Sequence, residues 1–108
     1  MRENGIMPIR SEVNDNGRSL IIHVNGDFSY DQYSQFKQAC SSINENIEEC
    51  IIDLENTNHL ESAALGMLLL LKARAVKLGL PKLVITNHTP EVDSFLRIMN
   101  FDDLFFMQ

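Results

Sequence analysis

The chain has 108 residues, of which 44% are hydrophobic and 22% charged, and its formal net charge is -6. That length suits one compact domain spanning 1–108 and leaves no room for a second, and three prolines and five glycines exclude a low-complexity or disordered chain. The acidic balance, with no Lys/Arg cluster to neutralise phosphates, excludes nucleic acid or an anionic membrane surface as the main partner.

Met1-Arg2-Glu3-Asn4 is polar and no apolar run follows it, so no secretory leader is expected. Ile9–Val13 reads as an edge strand that reaches RSLIIHV (18–24), a β-branched strand, through the turn residues Asp15-Asn16-Gly17. Asn25-Gly26-Asp27 breaks that strand. Ser29, with Gln32 three residues on, opens a helix over about 30–43, whose stripe of Tyr33, Phe36, Ala39, Cys40 and Ile43 has helical spacing. Cys50-Ile51-Ile52-Asp53-Leu54 is a short apolar run bounded by polar clusters, which predicts a buried strand; 55–61 is read as a loop.

A second helix is expected from Ala63 to Leu78, stopped by Gly79, with Lys72, Arg74 and Lys77 in its later turns where the helix dipole favours cations. KLVIT (82–86) is another buried strand. Thr89-Pro90-Glu91 is a cap, a first-turn proline and an early acid, so a third helix starts there and runs to about Asn100. Leu104–Met107 is a final short strand or a packed tail. Helical crossovers between buried strands imply a mixed sheet, mostly parallel with an antiparallel edge, and helices packed on it. The fold class is α/β.

Cys40 and Cys50 are read as reduced, buried thiols of a cytoplasmic protein. The apolar stretch from Ala63 to Leu71 is far below the roughly 18 residues that suggest a membrane span, so no membrane insertion is expected. His23 reads as a strand residue with a satisfied side chain, and His59 and His88 as solvent-facing loop residues. Their spacing to Asp53 and Glu55 matches no metal-ligand motif, so neither a metal nor a cofactor is expected. Phe95, Phe101, Phe105 and Phe106 would pack the last helix and tail onto the sheet, unless an exposed Phe105-Phe106 pair serves self-association.

The segment IIDLENTNHLESAALGMLLLLKARAVKLG (51–79) resembles the STAS domain, the family of bacterial anti-sigma factor antagonists. The family's hallmark is a buried strand, a short loop and Asp-Ser-Ser/Ala-Gly/Ala-Leu-Gly leading into a hydrophobic helix; here it reads Glu61-Ser62-Ala63-Ala64-Leu65-Gly66. Val24-Asn25-Gly26-Asp27-Phe28 is similar to the family's strand-end turn, and the likeness covers roughly 18–101. There are two departures: Glu61 stands where the family usually has Asp, and Ser29 where many relatives have a second acid.

The resemblance implies that Ser62 is phosphorylated by a serine kinase that is itself an anti-sigma factor, and restored by a PP2C-type phosphatase. It further implies that the unphosphorylated domain binds the kinase through Asp27, Glu61, Ser62, Ala63, Ala64, Leu65, Gly66 and Met67. From residue chemistry alone Ser62 is a helix cap, a role compatible with the switch. Phosphate at a helix start meets unpaired N–H groups, and about -1.5 to -2 of added charge beside Glu61 would repel a docked partner. Met67–Leu71 cannot all face one side of a helix, so some lie at the rim or the surface. Gly66 suits close approach of a partner or of a neighbouring strand, or tight helix packing.

A constitutive scaffold subunit of a transporter or signalling complex is the alternative, with no phosphorylation cycle. An enzyme is not expected: no Gly-x-Ser-x-Gly elbow surrounds Ser62 and no Gly-rich loop cradles a phosphate.

Overall fold

The computed structural model describes residues 8–108, and the polar segment 1–4 lies outside them. Strand β1 (Ile9–Asn14) runs antiparallel to β2 (Ser19–Val24). The turn between them places Asp15, Asn16 and Gly17 at φ 57°, 57° and 86°, the left-handed region that these residue types tolerate best. Arg18 closes the turn on the Asp15 carboxylate at 3.0 Å.

A short strand, β3 (Gly26–Phe28), leads into a 3-10 turn at Tyr30–Gln32 and then α1 (Tyr33–Cys40). The expected Ser/Gln start is present: Gln32 Oε1 accepts from the Ser29 N–H at 2.8 Å and from its hydroxyl at 3.0 Å. The helix is shorter than its apolar stripe suggested. It stops at Cys40, and Arg74 donates to the carbonyls of Cys40 (3.0 Å) and Ile43 (3.2 Å), satisfying acceptors that a further turn would have used. Arg74 therefore serves the C-terminal end of α1 rather than that of its own helix.

Then come β4 (Glu49–Asp53), β5 (Thr57–Leu60), α2 (Ser62–Leu78), β6 (Lys82–Thr86), α3 (Pro90–Ile98), a second 3-10 turn (Phe101–Asp103) and β7 (Phe106–Met107). The stretch expected as a loop over 55–61 contains β5. Gly79, at φ 74°, ends α2, with its own N–H on the Val76 carbonyl (3.1 Å) and the Leu80 N–H on that of Ala75 (2.8 Å).

The main sheet has the order β1-β2-β4-β6-β7, and only the β1–β2 pair in it is antiparallel. A separate small sheet pairs β3 with β5 in parallel. The expected class, a mostly parallel mixed sheet with an antiparallel edge and helices packed on it, is what the chain forms.

Alternation sorts the strands into two faces. Leu20, Ile22, Val24, Cys50, Ile52, Leu83 and Ile85 join Phe36 of α1, Leu68 and Leu71 of α2 and Leu96 of α3 in one core. The opposite face carries a row formed by register, Glu12, Ile21, Ile51, Val84 and Phe106. Phe101 and Phe105 are buried and stacked at 5.9 Å, and Phe95 is half-buried against the core. Phe106 alone is 59% exposed, under the Lys82 ammonium at 5.8 Å, so the two tail phenylalanines do not form an exposed pair. Cys40 and Cys50 are free and buried, and burial pushes both thiols up to about 12, which leaves them unreactive.

Candidate functional site

The two halves of the motif meet through the small sheet. Gly26, at φ 83°, turns the chain out of β2, and its N–H donates to the Asn56 carbonyl at 2.9 Å. Beside it the buried Thr57 hydroxyl donates to the Val24 carbonyl at 2.8 Å. Asp27 then lies opposite His59 and Phe28 opposite Leu60, and the Glu61 N–H donates to the Phe28 carbonyl at 3.0 Å. Phe28 is fully buried with its ring 5.2 Å from that of Phe36. This anchor fixes Asp27 on one side and Glu61-Ser62 on the other at the same end of the molecule.

Glu61 occupies the N-cap of α2 with extended backbone (φ -82°, ψ 163°), and its side chain makes no capping bond. A glutamate is one methylene too long to fold back as Ser, Thr or Asp does. Ser62 is the first helical residue and is exposed, so it does not cap the helix as its chemistry suggested. Among the described residues its hydroxyl has no hydrogen-bond partner. The first N–H groups of α2 thus carry no side-chain acceptor, and the first turn has no acidic residue.

Not all of the expected contact residues reach the surface. Asp27, Glu61, Ser62 and Gly66 are exposed and Ala63 is half-buried. Ala64 (0%), Leu65 (7%) and Met67 (3%) face the core, so they position the helix and do not form its outer face. The expectation that part of Met67–Leu71 reaches the surface holds at two residues outside the expected contact set, two turns on from Ser62: Leu69 (45%) and Leu70 (57%). They lie seven and eight residues after Ser62 and three and four after Gly66, so the helical period groups them with the serine. Among the described residues nothing beyond its own helix packs against Gly66; a Cβ there would meet no such atom within 4 Å. Tight helix packing is therefore not its role.

Tyr30 is exposed and stacks on Tyr33 at 5.7 Å. Tyr33, Phe36, Lys37, Cys40, Met67, Leu70 and Arg74 line a largely apolar groove of about 250 Å³ between α1 and α2, contiguous with the exposed stripe through Leu70.

The histidines divide. His23 lies between two carboxylates, with Nδ1 2.8 Å from Asp53 Oδ2 and Nε2 2.6 Å from Glu12 Oε1. The hydrogen bond to His23 holds Glu12 below its ordinary range. Burial pushes Asp53 up, but the Glu55 N–H, the Asn87 amide and His23 outweigh it and hold the carboxyl low. His59 is exposed on β5, whereas His88 is not the solvent-facing residue expected: its side chain is 7% exposed and bonds Asp93 at 2.8 Å. Among the described residues no group of three His, Cys, Asp or Glu side chains is placed to hold a metal ion, and no helix is long and apolar enough to cross a membrane.

Comparison with known proteins agrees with this architecture. A STAS-domain containing protein of Pseudomonas aeruginosa is 33% identical over 99 residues, covering 92% of this chain and 97% of its own. The solved structure of the anti-sigma factor antagonist SpoIIAA in its unphosphorylated form superposes with a TM-score of 0.70 at 15% identity, over 93% of this chain and 86% of that one. The Bacillus cell fate determinant SpoIIAA in its phosphorylated form gives 0.63 at 12% identity, over 93% and 90%. These two show a shared fold. The family model described as Mlab, STAS domain, matches residues 11–107, and the chain belongs to the STAS domain family.

Proposed function

We propose that this domain is an anti-sigma factor antagonist whose Ser62 is the switch of a partner-binding cycle. The observation that carries the reading is the state of that serine. It is exposed, its hydroxyl is uncommitted, it opens a helix whose first N–H groups lack a side-chain acceptor, and it continues into the exposed stripe of Gly66, Leu69 and Leu70. The solved SpoIIAA structures, in unphosphorylated and phosphorylated forms, give the reading its precedent.

In this cycle the unphosphorylated domain docks a serine kinase that is itself an anti-sigma factor. Asp27, Glu61, Ser62 and Gly66 lie in the contact, with Ala63 at its edge and Ala64, Leu65 and Met67 holding the helix from beneath. The kinase transfers the terminal phosphoryl group of ATP to Ser62: the serine Oγ–P bond forms as the P–O bond to the departing ADP breaks, and the hydroxyl proton passes to a base on the kinase. The phosphate adds about -1.5 to -2 of charge, which the open N–H groups of α2 tolerate but a desolvated interface does not. The partner dissociates, and a PP2C-type phosphatase hydrolyses the ester and resets the domain. On this reading the protein acts in the cytoplasm as a regulator of transcription and catalyses nothing itself.

Gly66 supports a docking role for this face. Glycine inside a helix costs about 0.5–1 kcal/mol relative to alanine, and nothing among the described residues uses the space it leaves. A partner backbone approaching closely is a use for that space. The alternative reading, a constitutive scaffold subunit, needs the same face but no modification of Ser62. Mass spectrometry of the protein purified from its own cells, with and without a serine phosphatase inhibitor, decides between them. A phosphate on Ser62 that increases with the inhibitor supports the cycle; an unmodified Ser62 under both conditions leaves the scaffold.

A further inference from the structure

The edge strand β1 has a self-complementary pattern. The Asn25 N–H donates to the Pro8 carbonyl at 2.7 Å, which makes Pro8–Asn25 a hydrogen-bonded pair at the start of the β1–β2 ladder. In an antiparallel ladder such pairs alternate, so Arg10–His23, Glu12–Ile21 and Asn14–Ser19 continue the series. The backbone N–H and C=O groups of Ile9, Ser11 and Val13 then point away from β2, to the edge of the sheet, where no other described strand pairs with them.

Open edges are ordinarily blunted by a bulge, an internal proline, a very short strand or charged side chains, and β1 has only the last, one charge of each sign at Arg10 and Glu12. β1 spans Ile9–Asn14 and keeps an unbroken register with β2 along its whole length, with no proline inside it. Two of the three edge-directed positions stay accessible, Ser11 being exposed and Val13 52% exposed, while the Ile9 side chain is buried in the core.

We propose that β1 is a self-association edge, on which a second copy of this chain adds its own β1 antiparallel about a two-fold axis at Ser11. In that register the outward residues face outward residues: Ser11 meets the partner's Ser11, and Ile9 meets the partner's Val13. Those are the positions whose backbone groups are directed to the edge, so each exchanges both of its main-chain bonds. Arg10 lies opposite the partner's Glu12, and Glu12 opposite the partner's Arg10. These are the non-hydrogen-bonded pairs of the new ladder, where side chains approach most closely.

The charges are already placed for it. The Arg10 and Glu12 side chains are 55% and 40% exposed and lie on the same face of β1, 3.8 Å apart, a loose contact that a cross-strand partner would replace. Glu12 is held in place by His23 at 2.6 Å. The two copies would share one continuous sheet. This self-association is independent of the state of Ser62.

Sedimentation velocity over a concentration series is the test. The wild-type chain is expected to shift towards twice its 12.3 kDa mass as concentration rises. Arg10→Glu and Glu12→Arg, each alone, set like charges opposite each other in both pairs and lose the dimer. Mixed together, the two variants set opposite charges across both pairs and regain it as a heterodimer. Ser11→Pro removes an outward N–H while leaving the bonds to β2, which come from Arg10 and Glu12, and also loses the dimer; circular dichroism confirms that each variant is folded. A wild-type mass that stays monomeric throughout, a dimer that survives Arg10→Glu and Ser11→Pro, or a mixture that fails to recover would each overturn the proposal.

Discussion

The starts of α2 and α3 are built from similar residue types and do opposite things. At α3, Thr89 Oγ1 accepts from the Val92 N–H at 3.2 Å, Pro90 fills the first helical position, and Glu91 and Asp93 put acidic charge in the first turn. A side-chain cap, a first-turn proline and first-turn acids all stabilise that start. At α2 the cap is Glu61 without a capping bond, the first turn holds no acid, and the serine points to solvent. One end is finished within the chain. The other leaves a hydroxyl uncommitted and its first N–H groups without a side-chain acceptor, as a surface that another molecule modifies or binds requires.

Substitutions can break or sharpen this contrast. The largest effect is expected at the anchor beneath the open end. Phe28→Ala removes a fully buried ring packed on Phe36, and a loss of about 3–5 kcal/mol in urea unfolding is expected. Wild-type stability in that variant would mean that the small sheet does not hold the site. Next come the two helix starts themselves. Thr89→Ala is expected to cost about 1 kcal/mol, while Ser62→Ala stays within about 0.5 kcal/mol of wild type. Equal losses at both positions would show that Ser62 caps after all.

Gly66→Ala is expected to stabilise the free domain by about 0.5–1 kcal/mol, since the added Cβ meets nothing, while weakening partner binding. A destabilised variant would place a neighbour against Gly66 that the structure lacks. The smallest effect is expected from acid. Glu12, Asp53 and Asp93 are all held below their ordinary values of 4.5, 3.8 and 3.8. A depressed carboxyl contributes stability above its unfolded value and loses it as pH falls through its folded one. The melting temperature should therefore drop below that range, less steeply in Asp53→Asn. A melting temperature that rises with acid would contradict the sign.

The parts of the fold legible in the sequence were those with a strong local signal. Asp15-Asn16-Gly17 marked a turn because those residues accept positive φ, and Thr89-Pro90 marked a helix start because each part of the cap has its own residue type. β5 was hidden because Thr57-Asn58-His59-Leu60 is mostly polar, and its pairing with β3 comes from distant chain rather than from alternation. The C-terminal end of α1 was hidden for the same reason: Arg74, 34 residues on, supplies the donors at Cys40. The serine and its motif were found by resemblance. Which neighbours reach the surface was not, since Ala64, Leu65 and Met67 are as small and apolar in sequence as the exposed Gly66, Leu69 and Leu70. The helical period groups Gly66, Leu69 and Leu70 with Ser62, but that this group is the outer face follows from the helix's rotation over the sheet.

The central claim is that charge at Ser62 controls docking, and paired baits test it most directly. Ser62→Ala and Ser62→Asp forms, shown by circular dichroism to be folded alike, are used to capture proteins from the lysate of the source cells. A protein kinase retained by the Ala form and lost by the Asp form is the result expected; it is then purified, and its ability to phosphorylate the wild-type serine is measured. The same proteins retained equally by both forms would contradict the account and make Ser62 an ordinary surface residue of a constitutive binding domain.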